Sequence, residues 1–203
     1  MLSLDGVPLE LIDLDDAGWA VHDGDLTVRA RAHSDLFVDP SGGGATAAES
    51  QSNAVRLLGA APDGDWTLSA EVSVDFAATF DAGVLLVWLD ETTWAKLCFE
   101  RSPQGTAMVV SVVTRGVSDD ANCATIAADR VALRVAKVGG VFAFHYSLDG
   151  TVWHFVRAFS LGASRDILRV GFEAQSPTGD GCDARFRDAR FTRRTLGDLR
   201  SGE

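Results

Sequence analysis

The chain has 203 residues, a formal net charge of −11 and 46% apolar residues. A charge of that sign repels phosphate backbones and anionic membrane surfaces, which argues against nucleic acid and membrane as partners. No stretch approaches the roughly 18 to 20 apolar residues that a spanning helix requires. Met1 to Asp16 carries Asp5, Glu10, Asp13, Asp15 and Asp16 without a Lys or Arg, the reverse of a secretory signal. Three widely spaced cysteines, Cys98, Cys123 and Cys182, form neither a disulfide framework nor a metal clip. A reducing, cytoplasmic setting is therefore the expectation.

Strand-like alternation runs from about Trp19 to Phe191 and is cut by turn signals. His22-Asp23-Gly24-Asp25 separates Trp19–Val21 from Leu26–Ala32. Asp39 to Asn53 is long, small and polar, readable as the rim of a binding face or as a flexible surface connection. Pro62-Asp63-Gly64-Asp65 precedes Trp66–Phe76, where Leu68, Ala70, Val72, Val74 and Phe76 face a core. Thr67, Ser69, Glu71, Ser73 and Asp75 face water. Gly83–Leu89 is apolar on both faces, with Val84, Leu86 and Trp88 on one and Leu85, Val87 and Leu89 on the other. Its second face needs a cover, whether a loop, another protomer or a ligand.

In Trp94–Glu100, Ala95, Leu97 and Phe99 form the core row, leaving Trp94, Lys96, Cys98 and Glu100 on the wet side. A three-residue connection across Asp90-Glu91-Thr92-Thr93 puts Trp88 and Lys96 on one face. A two- or four-residue connection pairs Leu89 with Trp94 instead, so alternation leaves open whether Trp88 and Trp94 share a face. Gly139-Gly140 separates Val131–Val138 from Val141–Ser147, and Asp149-Gly150 leads into Thr151–Arg157. Ile167–Ser176 sets Leu168, Val170, Phe172 and Ala174 against Arg169, Gly171, Glu173 and Gln175. Thr192 to Glu203 is a charged tail, expected to hold a short helix. Together these segments predict one all-β, two-sheet antiparallel sandwich over residues 1–203.

The run AGVLLVWLDETTWAKLCFE (Ala82–Glu100), followed by VVSVVTRGVSDD (Val109–Asp120), resembles an uncharacterised domain-of-unknown-function family. That family has a concanavalin A-like jelly roll, and its fungal members include the regulation-of-enolase protein. YSLDGTVW (Tyr146–Trp153) and GFEAQSPTGDGCDARF (Gly171–Phe186) match its closing half. The same order of elements is similar to the C-terminal accessory domain of some β-xylosidases. The resemblance implies a concanavalin A-like jelly roll of the lectin and glucanase type, with a carbohydrate-associated scaffold.

Trp94, Lys96 and Glu100 are the first candidate ligand row, because sugars stack on indole and hydrogen-bond to carboxylate, amide and ammonium groups. Trp88, Arg115, Glu71, Glu173 and Gln175 join it if their strands are neighbours. The bland alternative is a solvated face with an ion pair between Lys96 and Glu100. Were the chain a glycosidase, Glu100, Glu173 and Glu71 would be the carboxyls, since that chemistry pairs two acids. The Glu-x-Asp-x-Glu signature of concanavalin-like glucanases is absent, and Lys96 argues for an ionised Glu100. Catalysis is thus not the first expectation. The Ser147–Trp153 segment reads as a structural hairpin. His22, His33, His145 and His154 show no metal spacing, and no cofactor is expected. Calcium at Asp119, Asp120 and Asp180 is the sole cation considered.

The leading expectation is a non-catalytic, lectin-like module that binds a saccharide or sugar derivative on one sheet face. A regulatory domain contacting a metabolic enzyme is the alternative. An exposed patch around Val84, Leu86 and Trp88 would favour that reading, or a homodimer.

Overall fold

Residues 1–44, 48–162 and 166–203 are described in a computed structural model. Among them are seventeen strands and no helix. One sheet has eight strands: β1 (Leu2–Leu4), β2 (Val7–Asp13), β7 (Val55–Ala60), β16 (Arg169–Gln175), β9 (Ala82–Asp90), β10 (Thr93–Arg101), β11 (Ala107–Arg115) and β12 (Val117–Ile126), in that spatial order. The second has seven: β15 (His154–Phe159), β14 (Val141–Ser147), β13 (Arg130–Val138), β8 (Trp66–Val74), β17 (Asp183–Thr192), β4 (Asp25–Arg29) and β3 (Ala20–His22). A small hairpin, β5 (Leu36–Phe37) with β6 (Gln51–Ser52), stands apart. Paired strands are antiparallel, and consecutive strands such as β7, β8 and β9 alternate between sheets, as in a jelly roll.

The core between the sheets is built by the apolar rows read from the sequence. Leu68, Val72 and Val74 of β8 meet Leu85 and Val87 of β9, Leu97 and Phe99 of β10, and Val170 and Phe172 of β16. Gly83 lies where the sheets approach closely: a Cβ there would sit 2.7 Å from Val72 Cγ1. The N-terminal strands were not anticipated. Their acids mask the alternation of Leu4, Val7 and Leu11, all of which are buried in the same core.

The expected helix in the tail is a set of turns instead. Side chains of the seven-stranded sheet satisfy its carbonyls: Arg134 Nη2 donates to Gly202 O at 2.7 Å, and His145 Nε2 lies 2.7 Å from Leu199 O. Leu196 is buried against Ala136 and Ala143, which docks the tail on the outside of that sheet. The Ser147–Trp153 segment is the hairpin expected. Asp149 Oδ1 accepts hydrogen bonds from the backbone N–H groups of Thr151 and Val152, both at 2.8 Å.

A small further layer covers the middle of the two-sheet sandwich. Behind the eight-stranded sheet, Ala82, Val84, Leu86 and Trp88 of β9 form a second cluster with Trp94, Cys98, Met108, Val110 and Val112, closed by Leu36, Phe37 and Ala54. The cover demanded by the two-sided β9 is therefore the chain's own residues 34–38 and 51–54. It is pinned at one end by paired backbone bonds between Ser34 and Ser176, and where Asn53 and Ala54 donate to Asp35 O. At the far side Val38 and Ser118 exchange two bonds. The apolar patch that would have favoured a protein partner is thus not open. Among the described residues no helix is long and apolar enough to cross a membrane.

Gly171 lets β7 lie close against β16. A Cβ at Gly171 would come 2.2 Å from the carbonyl oxygen of Leu57, which is backbone and cannot rotate away. Gly171→Ala is expected to destabilise the fold by about 2 kcal/mol, the usual size of an overpacking defect. Gly140→Ala, with open space around its Cβ, is expected to change stability by less than about 0.5 kcal/mol. Urea unfolding of the two variants checks this; equal midpoints would contradict the close approach.

Candidate functional site

The turn between β9 and β10 decides which side chains share the covered face. Asp90 pairs with Thr93 across Glu91-Thr92, and the register then slips so that Trp88, not Leu89, faces Trp94. This bulge restores the parity that a two-residue turn alone would break. Trp88, Lys96 and Glu100 therefore lie on one face, which answers the point alternation left open. Across the sheet, one row runs Leu58, Gly171, Leu86, Lys96, Val112, Asp120; the next runs Glu173, Val84, Cys98, Val110, Asn122, and the one after places Gln175, Ala82, Glu100 and Met108 side by side.

That face is not the wet surface expected. Trp94 is 1% exposed, Lys96 2%, Glu100 6%, and Glu173 not at all. Alternation marks Lys96 and Glu100 as facing away from the core, but the cover then buries them. Trp88 lies under the Arg56 guanidinium, 4.7 Å from its ring centre, and Arg56 is itself held by Asp15 at 3.1 Å. Neither Trp presents a free face for stacking. Two other candidates are elsewhere. Glu71 belongs to β8 on the opposite sheet, between Arg130 and Arg187, so it pairs with no carboxyl of this face. Arg115 sits at the end of β11 and donates to Ser160 O at 2.8 Å.

Lys96 organises what remains. Its ammonium donates to Asp35 at 2.8 Å and to Gln175 at 2.7 Å. It does not pair with Glu100, the ion pair of the bland alternative. Burial opposes its charge, but Asp35 and Glu173 outweigh burial and raise its pKa. Gln175 passes the network on by donating from Nε2 to Phe80 O at 3.2 Å. Phe80 sits at a φ of 68°, a left-handed conformation rare for a bulky residue. The strain is held by Phe80 N donating to Arg101 O and by buried Asp81, which accepts from Ala77 N, Ala78 N and Ser176 Oγ. Phe80 stays 36% exposed.

Between the cover and the sheet lies a cavity of about 360 Å³. Its polar floor is Lys96, Glu100 and Gln175, with Asp120 and Asn122 of β12 to one side, and Phe37 and Phe80 supply its aromatic walls. Glu100 has no hydrogen-bond partner among the described residues. Burial raises its pKa to about 8 against the pull of Lys96, and Asp120 adds to the rise. Glu173 shares the face but does not line the cavity; burial raises it to about 7, again against Lys96. Neither of its carboxyl oxygens finds a partner. A larger depression of about 760 Å³ marks the seven-stranded sheet. Four of its charges pair with each other, Arg29 with Asp183 and Arg187 with Asp25.

Asp35, Phe37, Phe80 and Asn122 escaped the sequence reading. An acid and an aromatic beside the Asp39–Asn53 stretch were the only available signal, and nothing flagged Phe80. Of the acids weighed for calcium, Asp119 pairs with Arg157 and Asp120 lines the cavity. Asp180 lies elsewhere, its carbonyl accepting from Arg29. Among the described residues no three His, Cys, Asp or Glu side chains gather as a metal site.

The raised carboxyls make stability depend on pH. Glu100 and Glu173 bind protons more tightly folded than unfolded, so their contribution is complete below about pH 4.5 and is lost as pH rises through 7 to 8. Lys96 stays charged throughout that window. Melting temperature is expected to fall between pH 5 and pH 8 as the two carboxyls give up their protons. Glu100→Gln, which removes one of the two titrations, is expected to flatten the decline. Parallel curves for the two proteins would contradict the assignment.

Among curated proteins none matches the chain in sequence. Among solved structures, a functionally unknown protein from Saccharomyces cerevisiae superposes with a TM-score of 0.78 at 24% identity, over 92% of this chain and 97% of that one. The GH43 protein BlXynB from Bacillus licheniformis gives a TM-score of 0.68 at 14% identity; the match covers 89% of this chain but only 35% of that one. The carbohydrate binding module CBM66 from Bacillus subtilis gives 0.57 at 13% identity, over 90% and 95% of the two chains. Identities this low establish the shared jelly roll and nothing finer. The family model described as protein of unknown function (DUF1349) matches residues 15–194, and the chain belongs to that family.

Proposed function

We propose that the cavity behind the eight-stranded sheet binds a saccharide without chemical turnover. The observation that carries this reading is a preformed hollow in which hydrogen-bonding side chains and aromatic walls converge. A pyranose has equatorial hydroxyls for the carboxyl and amide groups of Glu100, Gln175 and Asn122. Its apolar C–H face suits Phe37 and Phe80. About 360 Å³ lies at the small end of small-molecule sites, which suits one or two sugar rings or the end of a chain. The fold shared with a carbohydrate binding module supports the same reading at the level of scaffold.

A glycosidase would use the same hollow differently. Glu100, held protonated near neutral pH, has the property of a general acid. The second carboxyl expected for that chemistry, Glu173, shares the face but is fully buried and does not line the cavity. The pair Glu100 and Glu173 therefore does not flank a common ligand position, and binding is the reading the geometry supports better.

A thermal-shift screen of mono- and oligosaccharides at millimolar concentration tests it. A ligand that binds only the folded state raises its melting temperature by mass action. At least one saccharide is expected to raise it by about 2 °C or more, roughly what a ligand at a few times its Kd gives in a chain of this size. Met108→Trp, which fills the cavity from its own wall, is expected to abolish the shift, and Asn122→Ala to weaken it. A shift that survives Met108→Trp places the ligand elsewhere. Hydrolysis of nitrophenyl glycosides that is lost in Glu100→Gln would overturn the binding-only reading.

A further inference from the structure

The outer face of the seven-stranded sheet carries a buried charge without a counter-charge. Arg134 of β13 lies beside His145 of β14, which in turn lies beside Phe155 of β15. Arg134 is 5% exposed, and among the described residues no carboxylate pairs with it. Its guanidinium sits 4.1 Å from the centre of the Trp153 ring, and Nη2 donates to Gly202 O at 2.7 Å. Burial, with Arg194 adding to it, lowers its pKa to about 10. A cation so placed costs folding free energy that an anion beside it would offset.

The guanidinium itself says which anion fits. Nε and Nη2 share one edge and donate in parallel, a fork matched to a group with two oxygens side by side. Residues 196–202, which cover Arg134, offer that fork a single carbonyl oxygen, and Nε is buried without a partner. His145 is half served in the same way: Nε2 donates to Leu199 O, while Nδ1 is buried and unpartnered. The hold of the covering residues comes from Leu196, buried against Ala136 and Ala143, and from Arg200 over the Phe155 ring. They seat at Gly202, where a Cβ would lie 2.9 Å from Trp153 Cβ, at a φ of 77° that side chains rarely adopt.

We infer that Arg134 and Trp153 form a binding site for an oxyanion, a carboxylate or a phosphate, and that residues 196–202 are a strap which this ligand displaces. One oxygen takes the place of Gly202 O on Nη2, and the second reaches Nε. Trp153 keeps the guanidinium plane in position when the strap leaves. The net charge of −11 opposes long-range attraction of such a ligand, so recognition rests on the contact itself. The site is on the sheet opposite the cavity and stands apart from the saccharide reading.

An NMR titration of the full chain, following the Arg134 Nε–Hε signal at pH 7 and constant ionic strength, tests the inference. The probes are inorganic phosphate, glucuronate and glucose, and the signal is assigned by its loss in Arg134→Lys. Phosphate or glucuronate is expected to shift it at millimolar concentration, and glucose to leave it unmoved. Gly202→Val and, separately, Leu196→Ser loosen the strap without altering Arg134. Each is expected to tighten oxyanion binding by about tenfold, because the open state is then more populated. Arg134→Lys in the Leu196→Ser background keeps the charge and loses the fork. Calorimetry is expected to show its oxyanion affinity down by about tenfold or more. Tighter binding of phosphate assigns a phosphorylated ligand, and tighter binding of glucuronate a carboxylate one.

No response to either oxyanion, in the unaltered chain and in both strap variants, would overturn the site. Binding that neither strap variant tightens would overturn the strap's role. Equal binding after Arg134→Lys, or glucose bound as tightly as the oxyanions, would overturn recognition by the fork.

Discussion

Everything at the candidate site turns on one buried ammonium. Lys96 stands near the middle of a sheet face, on a strand with neighbours on both sides, and is almost wholly out of water. A charge so placed is unstable unless neighbouring groups replace its hydration. Asp35 and Gln175 do so, and they come from parts of the chain far apart in sequence. Asp35 brings the cover down over the sheet. Gln175 ties β16 to the Phe80 loop. One cation thus links a covering segment, a sheet and a loop, and the cavity is the space those three enclose.

The same constraint explains the unusual carboxyls. A cation already paired with Asp35 has little left for Glu100 and Glu173, so burial dominates and both hold protons toward neutral pH. Removing one partner of such a buried pair is costlier than its net contribution suggests, because the survivor is left without compensation. The arrangement fixes geometry more than it adds stability. It holds Gln175 and Phe80 in place before any ligand arrives, which lowers the ordering cost of binding.

The fold was legible in the sequence because its signals are local. Alternation in β8, β10 and β16 assigned the core rows correctly, and Asp-Gly and Gly-Gly marked the hairpins. The family and jelly-roll resemblance, resting on motifs spread over the chain, pointed the same way as the family match. The site was only half legible. Lys96, Glu100, Glu173 and Gln175 were picked out, and they do share a face. Their burial was not anticipated, because alternation tells which side of a strand a residue faces and not what lies beyond it. The further layer comes from Leu36 and Phe37, whose apolar character is too brief to announce a cover. Glu71 was drawn in by its position on a wet face, yet that face belongs to the other sheet. Which strands become neighbours is a long-range property, and no local pattern in β8 reports it. Phe80 depends on a left-handed backbone held by Asp81, equally invisible along the chain.

The most direct test of the account is to map where a saccharide sits. Side-chain carbon–proton NMR of the protein with labelled phenylalanine and methionine, recorded during titration with a sugar, reports on Phe37, Phe80 and Met108. The account predicts that these three shift together and saturate at a common ligand concentration, with Phe142 and Phe191 of the seven-stranded sheet unmoved. Shifts confined to that second sheet, or none in the cavity when binding is otherwise detected, would contradict it.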